Sequence, residues 1–152
     1  MSGTLNTFQG WLSRTKGTLS ENVRKFKNKD LLEAIVAGCA VVSVADGTID
    51  ASEKQKMAGY LGRSEELKVF NMSEVIERFN HYAGNMDFDV MVGKQEALRV
   101  IAKFKSKPEV GRIIVGVCCA VGAADGSFDD LEKQSVREIC GVLHIAPGDF
   151  GL

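Results

Sequence analysis

The sequence lacks an apolar run long enough to cross a bilayer. Its two longest apolar stretches, residues 34–45 and 113–124, each cover roughly 12 residues, whereas a membrane-spanning helix needs about 20. The N-terminus also lacks the basic region, hydrophobic segment and small-residue cleavage site of a secretory signal. We therefore expect a cytoplasmic protein in which both apolar stretches are buried core helices.

The sequence motifs of common enzymes are also missing. There is no G-x-G-x-x-G, no P-loop and no nucleophile elbow. The two histidines, His81 and His144, do not have the spacing of metal ligands, and we expect both on ordinary helix surfaces. The sequence therefore predicts no catalytic residues and a protein that is not an enzyme.

The cysteines are few and contain no C-x-x-C pair. Cys39, Cys118, Cys119 and Cys140 all lie in helix-like apolar or mixed segments. This spacing favours free, reduced thiols over a disulfide framework or a thiolate zinc site. A buried thiol usually acts as a small hydrophobic side chain, and no histidine or basic cluster lies nearby in sequence to activate one.

Patterns of alternating apolar and polar residues are too short to predict a strand, whereas helical spacing recurs almost everywhere. The connections are short and no linker is visible. We therefore predict an all-α fold: a single compact domain over residues 1–152 with about seven helices.

Several helix ends and inward faces can be predicted from local chemistry. The expected N-terminal signals are Asp30, Ser73 and either Asp87 or Asp89 as caps, with Pro108 at a first helical position. Helical spacing over residues 90–104 predicts that Met91, Leu98 and Ile101 point inward.

Basic charge is concentrated at the start of the chain. Residues 1–29 hold six bases and one acid, so they carry a net charge of +5, and residues 30–152 carry −6. The apolar residues of the first segment lie on one helical stripe: Leu5, Phe8, Leu12, Leu19, Val23 and Phe26. We predict a basic amphipathic N-terminal helix (1–29) on an acidic helical body (30–152), with the stripe docked on the body or on a membrane surface.

The basic face of that helix leaves two interpretations open. It is either a site for an anionic surface or for self-association, or an ordinary solvated helix face. Nucleic acid is not an expected partner, because the body is acidic and the basic segment has few aromatic side chains for stacking.

One segment of the sequence occurs twice. Residues 45–55 read Ala-Asp-Gly-Thr-Ile-Asp-Ala-Ser-Glu-Lys-Gln, and residues 124–134 read Ala-Asp-Gly-Ser-Phe-Asp-Asp-Leu-Glu-Lys-Gln. The 79-residue offset also matches Cys39 with Cys118. Two copies are too few for a solenoid, so we predict an internal pseudo-repeat over residues ~30–62 and ~109–143.

Each copy contains an acidic turn with the pattern D-G-[TS]-[IF]-D-x-x-E. Acids at this spacing around a Gly turn resemble the second half of a calcium-binding loop. Valine and alanine occupy the positions of the two earlier acidic ligands, which excludes a standard EF-hand. We predict weak binding of Ca²⁺ or another divalent cation by six candidate ligands: Asp46, Asp50, Glu53, Asp125, Asp129 and Glu132.

The same acids have a structural interpretation. Asp50 with Glu53, and Asp129 with Glu132, have the spacing of helix capping boxes. Capping explains Asp46 and Asp125 less well, because they follow apolar helices where the macrodipole disfavours negative charge. An Asx-turn over the glycine can still account for them.

The chain resembles the TerB family of tellurite-resistance proteins over nearly its whole length. The resemblance lies in separated motifs in the same order: residues 26–29, the first acidic turn with residues 53–57, residues 63–70, 87–89, the second turn with residues 136–140, and 147–150. It implies an all-helical cytosolic protein for tolerance of tellurium oxyanions, with the family's acidic positions at the six candidate ligands named above.

The resemblance also implies partners: the integral membrane protein TerC and calcium-binding TerD-like proteins, at the inner face of the membrane. The function that we expect is therefore a non-enzymatic helical scaffold that presents two acidic turns for divalent cations. Two alternatives are open. Cysteines could reduce or sequester tellurite, or the protein could be a structural adaptor with no ligand.

Overall fold

The computed structural model describes residues 4–45, 51–124 and 128–152, apart from the side chains of residues 4–7, 9, 12, 15–17 and 52–54. Over these residues the fold is all-α and compact, with seven α-helices and no strand, as predicted. The helices are α1 (Thr4–Lys25), α2 (Lys29–Ser43), α3 (Ala51–Arg63), α4 (Met72–Phe88), α5 (Val90–Ala102), α6 (Pro108–Gly122) and α7 (Asp130–Leu143). Short 3₁₀ helices follow α3 (Glu65–Leu67) and α7 (Pro147–Phe150).

Helices α2 and α6 form the centre of the core. In each of these helices 11 of the 15 residues are buried, and a helix that is apolar on most of its surface is stable in water only when other helices cover it. They pack on each other; α4, α5 and α7 also pack on α2, and α1 and α7 on α6. Helix α3 packs mainly on α4. The two longest apolar stretches are therefore core helices, as predicted.

The pseudo-repeat is visible in the helices themselves. Helices α2 and α6 both have 15 residues and begin 79 positions apart, and α3 and α7 begin at the same offset. Cys39 and Cys118 are each 1% exposed, so the prediction that they occupy equivalent buried positions is confirmed. The two central helices meet here, because a Cβ on Gly38 would lie 2.5 Å from Cys118 Sγ.

The first helix docks on the body. Phe8, Trp11, Leu19 and Val23 are buried, and α1 packs on α6 and on both 3₁₀ helices. Of the predicted stripe, Phe26 is partly buried, and the side chains of residues 5 and 12 lie outside the described part of the chain. The sequence predicted that this stripe docks either on the body or on a membrane surface. In the structure the described part of the stripe packs on the body.

Two of the predicted N-caps are wrong. Asn28, not Asp30, caps α2, since the Leu31 N–H donates to Asn28 Oδ1 at 2.7 Å. Asn71, not Ser73, caps α4 by accepting from the Glu74 N–H at 3.1 Å. In both cases an asparagine two residues earlier takes the role, because the chain enters the helix one half-turn sooner.

Other local predictions are confirmed. Asp89 caps α5, and Pro108 lies in the first turn of α6. Along α5, Ile101 is fully buried and Leu98 partly buried, but the prediction for Met91 is wrong because its side chain is 69% exposed. The apolar residues at the start of α5 therefore do not all face the core.

Helices α4 and α5 approach most closely at Gly93. A Cβ on this residue would lie 2.6 Å from the backbone nitrogen of Met86 and 2.8 Å from the carbonyl carbon of Asn85. Backbone atoms cannot move aside as the end of a flexible side chain can. Only glycine therefore permits this helix crossing.

We expect Gly93→Ala to destabilise the protein by about 1–3 kcal/mol, the usual range for overpacking. Gly84→Ala is the matched control, since Gly84 lies in α4 and a Cβ added there would have nothing within 4 Å. Helix propensity favours alanine at such a position by up to about 1 kcal/mol. Urea unfolding of both variants measures the difference. Equal stabilities would contradict the close crossing.

Candidate functional site

The second acidic turn leads into α7 through a complete capping box. The Glu132 N–H donates to Asp129 Oδ1 at 2.8 Å, and the Asp129 N–H donates to Glu132 Oε1 at 2.9 Å. These two hydrogen bonds hold both carboxylates at the first turn of α7, where the helix dipole favours negative charge. The capping interpretation of this pair is confirmed, and the Asp129 side chain lies exposed at the surface.

Aromatic packing fixes the turn to the rest of the domain. The Phe128 ring lies over Gly122, where a Cβ would come within 2.8 Å of it, and its centroid is 5.0 Å from that of Phe8. On the neighbouring side, the buried Lys133 places its Nζ 6.0 Å from the Phe8 ring centroid. The start of α7, the end of α6 and the first helix therefore meet beside the acidic pair.

The remaining candidate ligands lie outside the described part of the chain. This holds for Asp46, Asp50 and Asp125, and for the side chain of Glu53 in α3. Of the six candidates, the structure places only Asp129 and Glu132 together. Among the residues described, no three His, Cys, Asp or Glu side chains form a group that could hold a metal ion. The six-residue cation site stays a prediction.

All four cysteines are free and buried. A hydrogen bond with Cys39, together with burial, raises the pKa of the Cys118 thiol well above its ordinary value. Burial raises the pKa of Cys119 in the same way, and raises that of Cys140 to about 11. These three thiols are therefore protonated at neutral pH, and the thiolate is the reactive form.

A polar cluster that the sequence pattern did not predict joins α2 to α4. Arg78 donates to Glu33 twice, from Nε to Oε2 at 2.7 Å and from Nη2 to Oε1 at 3.1 Å, and the Tyr82 hydroxyl donates to Glu33 Oε1. Burial tends to raise the pKa of Glu33, but the hydrogen bonds from Arg78 and Tyr82 outweigh it and lower the pKa. The signal in the sequence that could have indicated this cluster was Glu33, a charged residue inside an otherwise apolar helix. These three hydrogen bonds satisfy the Glu33 carboxylate where α2 packs on α4.

The histidines do not form a site. His81 lies exposed on α4, with its Nε2 3.7 Å from Glu96 Oε1. His144 was expected on a helix surface, but it is the C-cap of α7 in the left-handed conformation, with φ of 58°. Neither belongs to a cluster of candidate ligands within the described ranges.

The described residues therefore define an all-α protein in which two pairs of helices, α2 with α3 and α6 with α7, begin 79 positions apart. No helix among these residues is both long and apolar enough to span a membrane. A family model described as "Tellurite resistance protein TerB" matches residues 32–152. The Tellurium resistance protein TerB of an Alcaligenes species is 41% identical over 112 residues, which cover 72% of this chain and 92% of that protein. No solved structure matches.

The chain belongs to the TerB family. Membership supports a role associated with tellurite resistance.

We expect the native protein to react slowly with Ellman's reagent, because its thiols are buried and three of them have raised pKa values. The unfolded protein should release four equivalents, one for each cysteine. Absorbance traces with and without urea give both values. Rapid labelling of Cys39 and Cys118 in the folded protein would instead favour thiol chemistry.

Proposed function

We propose that this protein is a non-catalytic binding module of tellurite resistance, in which the turns Asp46–Glu53 and Asp125–Glu132 bind divalent cations weakly. It works in the cytoplasm with a TerC-like membrane protein and TerD-like calcium-binding proteins. The observation that carries the proposal is the second turn, where Asp129 and Glu132 hold each other in place at the surface.

Fixed carboxylates favour cation binding, because less side-chain freedom is lost when the ion arrives. The pair supplies part of a shell, since Ca²⁺ prefers 6–8 oxygen ligands at 2.3–2.6 Å. Asp125 and the backbone carbonyl of Ser127 are further donors within the turn, and waters would complete the shell. A low count of protein ligands corresponds to dissociation constants of about 10⁻⁴–10⁻³ M.

The state of the cysteines favours this function over thiol chemistry. A thiol that reduces or captures tellurite has to be accessible and readily ionised, whereas all four cysteines are buried. Their positions along α2, α6 and α7 serve packing of the core. We therefore place the chemistry of the protein at its acidic surface.

Contact with the membrane, on this proposal, is electrostatic and peripheral. The apolar stripe of α1 is largely occupied by the body, while Arg14, Arg24 and Lys27 remain exposed. Exposed bases attract an anionic surface, whereas apolar side chains that already pack on the body do not insert into it. Such attraction is screened by salt over about 8 Å at physiological ionic strength.

A structural adaptor with no ligand is the second candidate. The capping box is consistent with this candidate as well, because the reciprocal hydrogen bonds alone account for the positions of Asp129 and Glu132. The two candidate functions differ in what they expect of Asp46 and Asp125, which belong to neither capping pair. The binding module uses both acids as cation ligands, whereas the adaptor has no ligand.

We expect the double variant Asp46→Asn with Asp125→Asn to lose calcium-induced amide shifts at both turns while keeping its stability. Asparagine preserves shape and most turn hydrogen bonding but removes the charge that a cation requires. Amide NMR during calcium and zinc titrations measures the binding, and thermal unfolding measures stability.

Asp30→Asn is the matched control, since Asp30 is an exposed acid in the first turn of α2 and belongs to neither acidic turn. Its titration should equal that of the parent. The adaptor becomes the better account if the parent shows no shifts at the turns, or if the double variant keeps them.

A further inference from the structure

A cavity lies between α1, the first half of α6 and the C-terminal 3₁₀ helix. Its volume is about 350 Å³, which is at the small end of the range for ligand sites. Residues of all three elements line it, together with Phe26 just beyond α1. We call this cavity the α1–α6 pocket.

Half of the residues that line the α1–α6 pocket are apolar: Trp11, Leu19, Phe26, Ile113 and Phe150. The rings of Trp11 and Phe150 meet edge to face with their centroids 5.2 Å apart, and both residues are buried. Packing therefore fixes this part of the lining before a ligand arrives. The apolar body of a ligand can be buried there with little loss of side-chain freedom.

The charged part of the lining is basic on balance. Lys25 and Arg112 contribute two positive charges, and Glu109 contributes one negative charge. Lys25 is exposed, with its Nζ 5.3 Å from the Phe26 ring centroid, and the neighbouring bases Arg24 and Lys27 are exposed as well. A positive rim beside an apolar lining complements a ligand that has an apolar body and a single negative charge.

Arg112 already holds one carboxylate. Its Nη1 donates to Asp149 Oδ2 at 2.8 Å, and its Cζ lies 5.4 Å from the Phe150 ring centroid. A guanidinium has five N–H donors, so it can hold a second carboxylate beside Asp149. A doubly charged phosphate is a poorer ligand here, because Asp149 and Glu109 repel it more strongly.

We propose that the α1–α6 pocket binds a small carboxylic acid with an apolar body, such as a medium-chain fatty acid. Arg112 and Lys25 bind the carboxylate, and the apolar residues of the lining contact the hydrocarbon. The pocket uses none of the six candidate cation ligands, so this binding does not depend on cations at the acidic turns.

Trp11 provides a local signal for the test, because it is the one tryptophan of the chain and it lines the pocket. Octanoate should change the tryptophan fluorescence of the full chain in a saturable way. Octanamide has the same hydrocarbon and nearly the same shape but no charge, so it should bind about tenfold more weakly. Acetate has the charge without the hydrocarbon and should give no saturable change.

Two variants separate ligand binding from the ion pair. Arg112→Gln should weaken octanoate binding about tenfold, because a charged hydrogen-bond donor is lost, and should leave octanamide binding within about twofold. Asp149→Asn breaks the same ion pair but keeps the guanidinium, so it should bind octanoate at least as tightly as the parent. Both residues are exposed, and we expect both variants to keep the parental Tm.

Arg99→Gln is the matched control, since Arg99 is an exposed base on α5 that is not part of the lining. Its octanoate titration should equal that of the parent.

The proposed site is overturned if octanoate gives no saturable change, if octanamide binds as tightly as octanoate, or if Arg112→Gln binds octanoate like the parent. Equal weakening by Arg112→Gln and Asp149→Asn also contradicts it, because the ion pair then supports the pocket and the guanidinium does not bind the ligand. A fluorescence change with phosphatidylglycerol vesicles but not with free octanoate overturns it too, since the basic end of α1 then binds a lipid surface.

Discussion

The fold depends on the close contact between two apolar helices, α2 and α6. Gly38 faces Cys118 so closely that a single methyl group at position 38 would overlap the sulfur. Both helices are buried almost all round, and such helices have no stable place in water until others cover them. The remaining helices are arranged as that cover, with α4, α5 and α7 on α2 and α1 and α7 on α6.

This arrangement places the polar chemistry of the protein at the helix ends. The interior admits few polar groups, and Glu33 is tolerated in α2 because Arg78 and Tyr82 satisfy it. In the sequence, each acidic segment follows one of the two central helices at the same offset of 79 residues. Phe128 and Phe8 then tie the second turn to the first helix. The helix pairs α2–α3 and α6–α7 share this offset.

The sequence predicted those features that local pattern controls. The sequence repeat predicted the matched helices, and the two longest apolar runs predicted the core helices. Asp89 and Pro108 predicted the starts of α5 and α6. The misassigned caps at Asp30 and Ser73 show a limit of local reasoning. In each case two residues that can cap a helix lie within three positions, and the earlier one, an asparagine, is the N-cap.

The site was less predictable than the fold. Capping by Asp129 and Glu132 follows from their spacing, but the cluster of Glu33, Arg78 and Tyr82 joins residues more than 40 positions apart, which only packing brings together. Met91 was predicted to face the core because of helical spacing. Such spacing shows which apolar residues share a helix face, but it does not show whether a neighbouring helix covers that face. Met91 lies at the start of α5, where its side chain is 69% exposed.

Native-state hydrogen exchange as a function of denaturant tests most directly whether α2 and α6 form one cooperative centre. If they do, the amides of both helices exchange only through global unfolding and share the highest opening free energy in the protein. Terminal residues and the short 3₁₀ helices should exchange at lower opening free energies. A single cooperative centre is contradicted if either repeat unit, residues 30–62 or 109–143, opens on its own while the other stays protected.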